Sequence, residues 1–154
     1  MLIVKLQLLV GSGRKIGIFF LPFLLVGLTL NIFFPEFFGI GGPPFTWYCI
    51  SILVLVVGIV NWIWTIVLLL TKVPRKELIC TGPYALVKHP LYLGMAFLVI
   101  PWIGFLLNTW LGVILGFVMY LGSKIYSPQE EKILLSIFGK KWDDYCHKVL
   151  LPWL

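Results

Sequence analysis

Four long apolar stretches constrain the fold of this chain more than any other feature: Ile16 to Phe34, Phe45 to Leu70, Leu91 to Leu107 and Thr109 to Ile125. A helix needs about 20 apolar residues to cross the hydrocarbon core of a bilayer, and each stretch reaches or approaches that length. Hydrophobic residues make up 60% of the 154 residues and charged ones only 12%, more apolar surface than a soluble core of this size can bury. The expected fold is therefore all-α, an integral membrane bundle of four transmembrane helices. It forms one membrane domain over residues 1–154, with two spanning helices in 1–75 and a helical hairpin plus C-terminal segments in 76–154. Arg14 and Lys15 precede the first stretch as they would in a signal peptide. The apolar run is longer than a signal-peptide core, however, and no small-residue cleavage site follows it before Pro35 and Glu36, so a retained helix is expected.

The basic residues predict orientation. With the N-terminus cytoplasmic, Lys5, Arg14 and Lys15 lie inside, and so do Lys72, Arg75, Lys76 and Lys88 between the second and third helices. The tail adds Lys124, Lys132, Lys140, Lys141 and Lys148, so all 12 Lys and Arg fall on one side. This follows the positive-inside rule and predicts a multi-pass protein with both termini cytoplasmic. The net charge of +6 is then accounted for by topology and anionic lipid headgroups. No nucleic-acid partner is expected, because no basic tract interleaves with aromatics. Cys49, Cys80 and Cys146 are odd in number and lack metal-type spacing, so neither a structural disulfide nor a metal site is expected.

The connections are short. Pro35, Gly39, Gly41, Gly42, Pro43 and Pro44 mark a turn-rich outer crossing. The second outer loop is only Asn108 and Thr109, so the third and fourth helices must form an antiparallel hairpin. That hairpin brings His89 and Glu130 close together at the cytoplasmic end. Beyond it, Ser127, Pro128 and Glu130 match an N-cap, a first-position proline and a capping box, which predicts a new short helix ending at Gly139. Trp142, Tyr145, Cys146 and Val149 then recur at helical spacing opposite Lys140, Asp143, Asp144 and His147. Both C-terminal segments are expected to be amphipathic helices on the cytoplasmic membrane surface or over the hairpin.

Polar groups crowded at one face of so apolar a chain suggest a site. They are Thr81 to Tyr92 (TGPYALVKHPLY) and the pair Glu130 and Glu131. Pro90 suits the first turn of the third helix, which puts Lys88 and His89 at its positive end, where an anion is favoured. The plainer alternatives are a headgroup anchor for Lys88 and a helix cap for His89. Tyr92 shares a face with Lys88 and His89, although interfacial tyrosines, Tyr84 included, are also common anchors. Glu130 reads equally as a capping-box residue.

The run GPYALVKHPLYLG followed by EEKILLSIFGKKWDDY resembles the C-terminal signature of the isoprenylcysteine carboxyl methyltransferase and phospholipid methyltransferase group, G-x-Y-x-x-x-R-H-P-x-Y-x-G and then E-E-x-x-L-x-x-x-F-G-x-x-Y-x-x-Y. The likeness covers Leu78 to Pro152. It implies an S-adenosylmethionine-dependent membrane methyltransferase acting on a lipid or lipid-attached carboxylate, amine or thiol. It also implies that Tyr84, His89, Pro90, Leu91, Tyr92 and Glu130 contact the cofactor, with Lys76, Glu77, Leu78, Ile79 and Glu131 beside them. Lys88 and Glu130 are then the candidates for catalytic roles. A zwitterionic amino-acid tail needs a cation for its carboxylate and an acid for its ammonium, and each sign has a candidate here. Three positions depart from the pattern. Lys88 stands where Arg is usual and Trp142 where the first tail Tyr is usual, while Tyr126 stands where some prenyl-protein methyltransferases carry Arg. The His-Pro-x-Tyr-x-Gly and Trp-x-x-Tyr elements also resemble NADPH-dependent sterol reductases, the alternative reading. A non-catalytic membrane scaffold is the third.

Overall fold

The computed structural model describes residues 12–42 and 44–152, so Lys5 and Pro43 of the sequence reading lie outside the described residues. The described chain is helical: α1 (Gly13–Phe33), α2 (Pro35–Phe38), α3 (Phe45–Lys72), a 3-10 turn (Val73–Arg75), α4 (Pro83–Leu86) and α5 (Pro90–Leu93). A π-helical turn (Gly94–Val99) follows, then α6 (Ile100–Leu106), α7 (Leu111–Phe138) and α8 (Lys140–Lys148). Three helices are long and apolar enough to cross a membrane, namely α1, α3 with its 3-10 extension, and α7. Their outward faces are rich in exposed Leu, Ile, Val and Phe, as a surface in contact with lipid tails requires.

The third apolar stretch is shorter and broken. It runs from Pro90 to Leu106, and in its middle the Ile100 N–H bonds five residues back, to the Met95 carbonyl. Pro101 follows and has no N–H for the carbonyl of Phe97. The Trp102 indole Nε1 donates to that oxygen instead, at 3.1 Å. A regular helix drawn through this stretch is therefore replaced by α5, a π turn and α6.

Packing relies on residues without side chains. A Cβ on Gly104 would lie 2.6 Å from the Cα of Gly112, and one on Gly58 would lie 2.7 Å from the carbonyl oxygen of Leu98. The α6–α7 hairpin and the crossing of α3 over the π turn are thus backbone against backbone, as small residues permit in membrane bundles. α1 packs along α7, and α3 packs along the π turn and α6.

The bundle has two distinct ends. At one, Trp110 N–H donates to the Phe38 carbonyl at 2.9 Å and Ile40 N–H to the Asn108 carbonyl at 3.3 Å. The Gly42 N–H reaches Asn108 Oδ1 at 3.0 Å. The loop after α1 and the turn between α6 and α7 therefore meet. Asn108 closes that turn in the left-handed conformation, φ 56°, which asparagine tolerates better than most residues. At the other end the beginnings of α1 and α5 meet the distal part of α7.

One expected boundary is absent. α7 continues without a break from Leu111 to Phe138 with Pro128 inside it, so no new helix starts at Ser127 and there is no capping box. Ser127 is buried, 5% exposed, and its hydroxyl has no hydrogen-bond partner among the described residues. Pro128 lies on the exposed side, where strain from its ring is most easily relieved. The predicted end at Gly139 is present, with φ 52°. The amphipathic segment after it is α8, whose Trp142 and Tyr145 are buried with Val149 against Leu134, Phe138 and Leu78.

Candidate functional site

At the end of the bundle that carries the basic residues, a cavity of about 290 Å³ opens between α7, α8 and the 76–92 segment. That is near the lower bound of ordinary ligand pockets, roughly 300 Å³. Ten of the residues anticipated from sequence line this one cavity: Lys76, Glu77, Leu78, Ile79, Tyr84, Lys88, His89, Leu91, Tyr92 and Glu130. Pro90 and Glu131 do not. Pro90 is fully buried behind the wall, and Glu131 sits behind Lys88 and His89.

The cations and acids pair differently from the sequence expectation. His89 was expected to face Glu130; its Nε2 lies 3.1 Å from Oε1 of Glu131 instead. Lys88 Nζ reaches the same oxygen at 2.8 Å. The protein thus supplies its own counter-charge to Lys88, which has three donors and spends one of them on Glu131. His89 is buried to 9% exposure, and its ring stacks on Tyr92 with centroids 6.1 Å apart.

Glu130 has no cation partner among the described residues. Its Oε2 accepts from the Ser12 backbone N–H at 3.2 Å and from the Tyr92 hydroxyl at 3.4 Å, while Oε1 takes no hydrogen bond from a described residue. A carboxylate on a cavity wall, held by neutral donors on one oxygen, is arranged to receive a cationic group.

Three further polar groups of the lining, Glu77, Tyr84 and Tyr145, are held by neighbours or stay neutral. Glu77 is held by Lys72 at 2.6 Å, and that hydrogen bond lowers its pKa from the ordinary carboxylate value. Burial, with the nearby charge of Glu130, pushes the Tyr84 hydroxyl well above the phenol range, so it stays a neutral donor. Burial does the same to Tyr145, whose hydroxyl donates to the Tyr84 carbonyl at 2.8 Å. The chain after α8 returns to α4 through Leu150 N–H to the Ala85 carbonyl, 3.2 Å, and Leu151 N–H to the Leu86 carbonyl, 2.9 Å. α8 is therefore fastened over the cavity, and Phe138, Trp142 and Tyr145 form its apolar cover.

Some participants carried no explicit site signal. Leu134, Ile137 and Phe138 line the cavity from α7, and Trp142 and Tyr145 were legible as a covering face but not as cavity walls. Leu69 and Val73, at the end of α3, also line the cavity. Ser12 is the least foreseeable, since nothing in its sequence neighbourhood points 118 residues ahead to Glu130. The three cysteines are free, and no metal-binding cluster occurs among the described residues.

Among the described residues the chain is helical, with three helices long and apolar enough to cross a membrane and a covered, mostly apolar cavity at the lysine-rich end, which defines the class of small helical membrane proteins. The profile of the isoprenylcysteine carboxyl methyltransferase family matches residues 45–136, more than half of the chain. The chain belongs to that family, a family of methyltransferases. No curated protein and no solved structure matches it.

Proposed function

We propose that this chain is an S-adenosylmethionine-dependent methyltransferase whose acceptor is a lipid or a lipid-attached group. The observation that carries the reading is Glu130, a carboxylate lacking a described cation partner on the wall of a cavity in a methyltransferase-family chain. The donor set fits the cofactor. Glu130 would take the ammonium of its amino-acid tail, Lys88 and Lys76 would take the carboxylate, and the walls at Leu78, Ile79, Leu134 and Phe138 would enclose its less polar parts. When bound, the cofactor would supply a methyl group on a positively charged sulfur. The protein then needs only to align, enclose and exclude water, which is the task of α8 and its fastening to α4. An amine or thiol acceptor must lose a proton, for which Glu130 and His89 line the cavity. A carboxylate acceptor needs no base.

The apolar exterior supports an acceptor that arrives from the membrane, and the exposed lysines support contact with anionic headgroups. We further propose that Pro90–Leu106 is a fourth crossing and that both termini are cytoplasmic. Calorimetric titration of the purified protein in detergent tests the donor. Heat with S-adenosylmethionine or S-adenosylhomocysteine and none with NADPH is expected. Heat with NADPH alone would replace this reading with the reductase one.

A further inference from the structure

Ser12 stands at the N-cap position of α1, where a serine ordinarily turns its oxygen onto an N–H of its own first turn. It does not do so here. Its hydroxyl donates to the carbonyl of Tyr126 on α7 at 2.8 Å, and its backbone N–H donates to Glu130 Oε2 at 3.2 Å. The residue is 4% exposed, so both bonds are shielded from water. One turn further along α1, Lys15 bonds Gln129 of α7. Gly13 lies so close to Tyr92 that a Cβ there would meet the Tyr92 hydroxyl at 3.6 Å, and that hydroxyl is the second donor to Glu130 Oε2. All of these α1 residues lie outside the matched segment 45–136.

We infer that Ser12 is a positioning residue for Glu130, so that the start of α1 completes the ammonium subsite of the donor cavity. Two neutral donors, Ser12 N–H and Tyr92 Oη–H, fix one carboxylate oxygen and leave Oε1 for the ligand. The hydroxyl tether to Tyr126, one turn before Glu130, holds α1 at the distance at which the N–H can reach. The inference rests on the proposed donor.

Two variants separate the bonds. Ser12→Ala removes the tether and keeps the N–H. Ser12→Pro removes both, and the backbone angle at this position, φ −82°, is close to the range proline adopts, about −65 ± 15°. Affinities of the full-length protein in detergent are measured for S-adenosylhomocysteine and for methylthioadenosine, which has the same adenosine and thioether but neither ammonium nor carboxylate. Ser12→Pro is expected to weaken S-adenosylhomocysteine about tenfold, and Ser12→Ala about threefold, as the loss of support for a charge-assisted bond implies. Methylthioadenosine should change less than about twofold in both. Equal losses for the two ligands would mean a merely structural role and overturn the inference, as would unchanged S-adenosylhomocysteine binding in Ser12→Pro. A wild-type protein that binds neither ligand removes the donor reading itself, and the inference with it.

Discussion

Glu130 and Glu131 are neighbours on α7, turned about 100° apart by the helix, and that rotation decides their roles. Glu131 faces Lys88 and His89 and bonds both, while Glu130 faces the cavity with only neutral donors on Oε2. Glu130→Gln keeps an oxygen for Ser12 and Tyr92 but loses the charge. It should weaken S-adenosylhomocysteine about tenfold to a hundredfold, or roughly 1.5–3 kcal/mol, and shift ligand-free stability by less than about 1 kcal/mol. Ser127→Ala makes the contrast. A capping serine would cost about 1 kcal/mol on removal. A buried hydroxyl without a partner should cost nothing or give a small gain, because a desolvated polar atom disappears. Thermal unfolding in detergent measures both, and a clear loss for Ser127→Ala would mean that its hydroxyl is bonded. The sequence reading set Glu130 opposite His89, whereas the structure pairs His89 and Lys88 with Glu131. Ser127, Pro128 and Glu130 imitate a helix start, and local pattern alone cannot tell an N-cap from a serine buried in the middle of a continuous helix.

The elements followed the sequence where the apolar period was long and departed from it around Pro101 and Pro128. α1, α3, the Gly139 stop and the buried face of α8 were legible because each rests on one dominant signal, either uninterrupted hydropathy, a left-handed glycine, or a repeat of Trp142, Tyr145 and Val149. The π turn at Gly94–Val99 was not, since it coincides with the close approach of Gly58 to Leu98, which only the folded bundle provides. α8 was expected to lie on the surface or over the hairpin, and the bonds back to α4 show that it covers the cavity. The cover has one side-chain latch that can be removed without changing shape. Tyr145→Phe deletes the bond to the Tyr84 carbonyl and should cost about 0.5–1.5 kcal/mol. Amide exchange in α8 should rise while exchange in α1 and α3 stays unchanged. Uniform acceleration across all helices would mean that α8 is part of the global fold and not a separable cover.

At the scale of the molecule, the two ends of the bundle differ in charge as well as in structure. The end where Phe38, Ile40 and Gly42 bond to Trp110 and Asn108 is built from segments without Lys or Arg, with Glu36 beside them. The opposite end gathers Lys15, Lys72, Lys76, Lys88 and Glu131. Pro90–Leu106 is tied to both ends, by Tyr92 to Glu130 and by the Asn108 turn to Ile40. It therefore traverses the height of the bundle even though its 17 residues extend only about 25 Å at 1.5 Å each, short of the roughly 30 Å hydrocarbon core. Such mismatch is met by local thinning of the bilayer or by flanking polar residues reaching outward. The four crossings proposed above would put the lysine-free end outside and the lysine-rich end in the cytoplasm, as the positive-inside rule requires. Reporters fused at Gly42 and after the C-terminus should then label opposite sides of the membrane, with the C-terminal one cytoplasmic. If Pro90–Leu106 instead stayed within one leaflet, the 107–110 turn could not share a membrane face with Gly42. A cysteine introduced at Asn108 would then resist a membrane-impermeant thiol reagent added from outside, in a background where Cys49 is replaced by serine. Labelling of both Gly42 and Asn108 positions from outside is the expected result, and protection at Asn108 alone would reduce the protein to three crossings and move its C-terminus across the membrane.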